Sequence, residues 1–147
     1  MSDITTAQVL EMFKYIKNSY GRISKYGAGD KGECWSLPYN ALEAASASLP
    51  CLTCGEAAKY VWGRFILEGE AKSGDVIQID GKVEMLTKNG HKHRFKHHTM
   101  IIISKSGLEI KVAHQWVGSK VHYDDYNLWN QSGEGRMSYY RPQQALK

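Results

Sequence analysis

Apolar side chains in the first stretch of the chain fall near helical spacing: Ile4, Val9, Leu10, Phe13, Ile16 and Tyr20. That spacing predicts an amphipathic helix over residues 4–19, with Ser2 or Asp3 as its N-cap and Gly21 as its stop. Residues 34–47 carry Leu37, Ala41, Leu42, Ala44 and Ala45, good helix formers, with Pro38 near the first turn, where proline is tolerated. From Gly74 onward the period drops to two. GDVIQIDG, KVEML after a Gly81 turn, HHTMIII, LEIKVAHQW and GRMSYYRP read as strands, with turns at Asn89-Gly90 and Ser106-Gly107. Helices first and strands afterwards predict an α+β fold, two N-terminal helices packed on one face of an antiparallel sheet.

A chain of 147 residues suits one domain spanning 1–147, and such a domain buries roughly 68–70% of its unfolded surface. The composition, 42% hydrophobic and 23% charged, excludes a disordered or fibrous chain. A net charge of +4 favours anionic partners but is modest for a dedicated nucleic-acid binder. No apolar run approaches the ~20 residues of a membrane span. MSDITTAQVLEMF lacks the cationic and apolar regions of a cleavable signal. The chain is therefore expected to be cytoplasmic as synthesised, and to leave by a non-classical route if it acts outside its cell. Three cysteines, Cys34, Cys51 and Cys54, are too few for a disulfide framework.

Chemistry concentrates where the glycine-rich KYGAGDKGECW delivers Cys34 to the predicted start of the second helix. A nucleophilic cysteine needs help to ionise, and free N–H groups at a helix start stabilise both a thiolate and an oxyanion. A buried, inert cysteine is the alternative. The base would come from HHTMIII. His98 alternates with Met100 and Ile102 and is the preferred candidate, with His97 the alternative. In LEIKVAHQW, Leu108, Ile110, Val112 and His114 share a face, which would bring His114 beside His98 to orient its ring; Gln115 is the second choice.

Taken in order, Tyr26-Gly27, Glu33-Cys34-Trp35-Ser36, Gly74-Asp75-Val76-Ile77, His98-Thr99-Met100-Ile101-Ile102 and His114 resemble the motifs of the NlpC and CHAP superfamily of papain-like cysteine peptidases and amidases. The likeness covers about residues 20–142, and SYYRP is similar to that family's closing strand. It departs in having Cys-Trp-Ser for Cys-Ser-Gly, a shorter glycine loop and a long basic hairpin. It extends to outlying branches, small bacterial amidase effectors and the thiol-peptidase-like domain of a fungal myosin-tail-interacting protein. The resemblance implies a papain-like fold and a hydrolase of peptide, peptidoglycan or acyl substrates, with Cys34 as nucleophile, His98 as base and His114 as orienting group. Tyr26, Trp35, Gln115 and Trp116 would line the cleft or the oxyanion site, with no metal and no cofactor. A binding module without turnover is the alternative.

Two further features compete. Cys51 and Cys54 form a C-x-x-C that is read as a local disulfide or packed thiols in preference to zinc ligands. Residues 88–98 carry Lys88, Lys92, Arg94 and Lys96 with four histidines and no acid, a solvated hairpin or a seat for an anionic partner.

Overall fold

Thr5 opens the first helix. The computed structural model describes residues 2–27, 30–55, 58 and 60–146. Helix α1 runs Thr6–Ser19. The Thr5 hydroxyl accepts the Gln8 N–H at 3.2 Å and Gln8 Oε1 accepts the Thr5 N–H at 2.9 Å, a reciprocal cap that sets the start later than Ser2 or Asp3. Met12 and Ile16 are its fully buried residues, while Leu10, expected inward, is exposed. Helix α2 is shorter than expected, Ser36–Ala44.

Among the described residues six strands follow: β1 Arg64–Ile66, β2 Val76–Thr87, β3 Lys92–Ser106, β4 Glu109–His114, β5 His122–Ser132 and β6 Arg136–Arg141. All pairings are antiparallel, in the order β1-β6-β2-β3-β4-β5, and β2 also pairs with β5. That last pairing curls the sheet back on itself. The expected α+β, papain-like arrangement of helices layered on a sheet is therefore corrected: the chain is a small β-rich fold, with 41% strand against 19% helix among the described residues. The physical reason is β5, which the sequence pattern did not expose as a strand and which closes the curl from β4 to β2.

Gly81 is likewise no turn. It sits at φ +84° inside β2, where the register with β3 shifts between Asp80 and Val83, so β2 bends and continues. The turn after Thr87 and the one at Gly107 fall where expected.

The two faces of the sheet serve different clusters. Ile77, Ile79, Met100, Ile102, Ile110, Val112, Tyr126 and Leu128 fill the inside of the curl. Val76, Ile101 and Ala113 face outward and join Met12, Ile16, Leu37 and Leu42 of the helices. Neighbours in sequence thus belong to opposite clusters, as the alternation of a strand requires. Among the described residues, no helix is long and apolar enough to cross a membrane.

Candidate functional site

The loop before α2 is held by side chains. Asp30 accepts the N–H of Tyr26 at 2.7 Å and of Gly32 at 3.1 Å, and the hydroxyl of Ser36. Burial works to raise this carboxyl, but those donors outweigh it and keep the pKa below the ordinary value. Gln115 pins the same loop to the end of β4: its Oε1 accepts the Ser24 N–H at 2.9 Å, and its Nε2 donates to Ser24 O at 2.7 Å and Glu33 O at 2.9 Å. Its oxygen and both amide hydrogens are engaged, so Gln115 is a brace with no donor left for an oxyanion. Tyr26 and Trp35 pack ring on ring with Tyr39.

Cys34 lies in the turn just before α2, one residue ahead of its cap Trp35, and is partly exposed. Its Sγ stands 3.9 Å from the main-chain oxygen of His97, beside Thr99. Burial pushes the thiol up; the Thr99 donors pull the other way and lose, while the Glu33 carboxylate adds to the rise. Thr99 Oγ1 donates to Gln78 Oε1 at 2.7 Å, which also accepts Trp62 Nε1–H at 2.9 Å, so the floor beneath the thiol is a fixed polar network.

Thr99 and His98 alternate on β3, so the thiol and the His98 ring occupy opposite faces of that strand. The structure does not bring these two predicted partners together. The imidazole that belongs to the thiol's own stretch of strand is His97, whose Nδ1 lies 3.0 Å from Asp80 Oδ1, directly across the β2–β3 ladder, with Tyr60 edge-on at 4.3 Å. A carboxylate only accepts, so Nδ1 carries a hydrogen, and whenever the ring is neutral Nε2 is its lone-pair atom.

His98 and His114 do meet, inside the curl. His98 Nε2 is 2.8 Å from His114 Nδ1, and His114 Nε2 is 2.7 Å from Asp124 Oδ2. Both rings are buried, at 2% and 0% exposure, which leaves them out of reach of a substrate carbonyl. Burial, reinforced by the neighbouring imidazoles, holds His98 well below the usual histidine range. Burial also lowers His114, against the pull of Asp124. Asp124 is lowered because the bond from His114 and the nearby rings overcome its own burial. Phe95 stacks on His98 at 4.4 Å, and Trp116, half-exposed, covers His114 edge-on at 5.3 Å.

Asp80, Asp124 and His122 went unread in the sequence. Asp80 was visible as the polar end of GDVIQID, and the alternation His122, Asp124, Tyr126, Leu128 carries the signal for the other two. Cys51 and Cys54 form a disulfide, leaving Cys34 as the free thiol. No protein-family model matches the chain, and no curated protein matches it.

Proposed function

We propose that the protein is a thiol hydrolase of amide bonds, with Cys34 as nucleophile, His97 as general base and Asp80 as the group that orients it. The observation that carries this reading is the Asp80–His97 pair at 3.0 Å on the segment of strand over which the Cys34 sulfur lies. A thiol raised by burial stays protonated near neutral pH, so its ionisation needs a base with a free lone pair, and His97 Nε2 is that atom. The S–H proton passes to His97 and the sulfur attacks the carbonyl carbon. The imidazolium then protonates the leaving amine, a thioester remains, and water, deprotonated by the same ring, releases the acid. The groove that His97 and His98 line together with Lys92, Arg94, Lys96 and Trp116 is basic and suits a substrate bearing carboxylates, such as the stem peptides of peptidoglycan.

The test is hydrolysis of peptidoglycan fragments and of small carboxylate-bearing amides. Cys34→Ala abolishes turnover, and His97→Ala lowers kcat/KM by roughly 100- to 10,000-fold. His98→Asn, on the far face, keeps the chemistry. Turnover that survives both Cys34→Ala and His97→Ala overturns the assignment. The raised thiol favours one other reading, a module that binds a protein or anionic partner without turnover. Unchanged binding by Cys34→Ala together with no product from the wild type would establish it.

A further inference from the structure

His122 stands where two acceptor oxygens and a second imidazole converge. Its Nδ1 lies 2.8 Å from the carbonyl oxygen of Lys120, which only accepts, so Nδ1 carries the hydrogen. Its Nε2 faces Asp124 Oδ2 at 3.2 Å, a contact that a protonated ring makes through its second N–H and that a cation held between the two atoms makes with the neutral ring. His114 Nε2 approaches the same oxygen at 2.7 Å. The three ligand atoms of His114, His122 and Asp124 all lie within 4.8 Å of one another.

We propose that His114, His122 and Asp124 bind one first-row divalent cation, zinc above all, at the loop end of the β4–β5 hairpin. Two imidazoles and a carboxylate form a donor set suited to zinc, which takes nitrogen and oxygen ligands at about 2.0–2.2 Å and, with three protein ligands, keeps a fourth position for water. Tetrahedral ligands at such lengths stand about 3.4 Å apart. The two contacts to Asp124, at 2.7 and 3.2 Å, therefore need to open by less than an ångström to admit the ion.

The surroundings already have the form that metal-bound histidines require. A ligating imidazole donates its other ring N–H to a fixed acceptor. His122 has the Lys120 carbonyl for this, and His114 Nδ1 has His98 Nε2 at 2.8 Å. When the metal takes His114 Nε2, the hydrogen on that atom is displaced, the one between the two buried rings passes from His98 Nε2 to His114 Nδ1, and the displaced proton is taken up at His98 Nδ1, so both rings stay neutral and His98 Nε2 becomes the acceptor. His114 and His122 are direct partners across the β4–β5 ladder, so one ion ties both strands at the mouth of the curl. His122 and Asp124 keep 29% and 21% of their side-chain surface exposed, which gives the ion a way in, and Trp116 roofs the site edge-on to His122 at 4.6 Å.

The test uses the full chain without an affinity tag, stripped with chelator, loaded with zinc and passed through gel filtration. One zinc per chain is expected by elemental analysis, and cobalt in its place gives the visible ligand-field bands of a tetrahedral site. His122→Ala and, separately, Asp124→Asn abolish stoichiometric zinc and the cobalt bands, with an unchanged far-ultraviolet circular dichroism spectrum. His91→Ala, in the hairpin, retains both and excludes adventitious binding there. No zinc on the wild type, or equal zinc on His122→Ala and the wild type, overturns the proposal.

Discussion

Cys34 decides its own chemistry through two opposed neighbours, burial on one side and the Thr99 donors on the other, and burial prevails. The expected consequence is slow alkylation near pH 7 by iodoacetamide, slower than the same thiol in urea, rising roughly tenfold per pH unit until the thiol ionises. Mass spectrometry of the intact protein reads it directly, because Cys51 and Cys54 are oxidised and a single label reports Cys34. A rate that is flat from about pH 6 to 8 would mean a preformed thiolate and would contradict the burial argument. The same contrast of faces explains what the sequence did and did not disclose. His114 was legible because Ile110 and Val112 mark its face four and two residues earlier, and it does sit with them inside the curl. The pairing of Cys34 with His98 failed on the same rule. His98 follows Met100 and Ile102 inward, while the loop delivers the thiol to the outer face, and nothing in a linear pattern says on which face a distant loop will land.

Strand elements were readable in proportion to their hydrophobic regularity. The strands carrying VIQI, TMIII and EIKVA were evident, but β1 has only three residues, and β5 alternates histidine, aspartate and tyrosine in place of aliphatic side chains. Its membership depends on partners, β4 on one side and β2 on the other. Closure leaves little room at one crossing. A Cβ on Gly135 would stand 2.5 Å from the carbonyl carbon and 2.6 Å from the oxygen of Gly81, and neither backbone atom can turn aside. Gly135→Ala is therefore expected to force the two segments apart at a cost of about 1–3 kcal/mol, read as a lower urea midpoint with an unchanged slope. Gly90→Ala serves as the comparison: it too has a positive φ, +85°, but its added methyl meets nothing within 4 Å, so it bears only the backbone strain. Equal losses in the two variants would show that steric crowding at the Gly81–Gly135 crossing is not what limits closure.

Folding gathers the charge of the chain unevenly, and this decides what the protein attracts. The net charge is +4, and the groove beside His97 takes Lys92, Arg94 and Lys96 from one side of the basic hairpin. Two of these are partly spoken for: Glu84 accepts Arg94 Nε at 2.8 Å and lies 3.5 Å from Lys92 Nζ. Solvent screens exposed pairs of this kind, so the field over the groove remains positive and open to competition from a substrate carboxylate. Opposite charges at such a surface act within a Debye length, about 10 Å at 0.1 M salt and about 3 Å at 1 M. KM for a carboxylate-bearing amide should therefore rise with salt while kcat holds, and a neutral amide of the same shape should show neither change. Lys96→Ala should raise KM for the charged substrate by up to about fivefold, the equivalent of ~1 kcal/mol, and flatten its salt dependence. Glu84→Gln should act in the opposite direction by freeing Lys92 and Arg94. Equal salt slopes for the charged and neutral amides would remove the hairpin from substrate selection, leaving its basic residues as a solvated edge of the sheet.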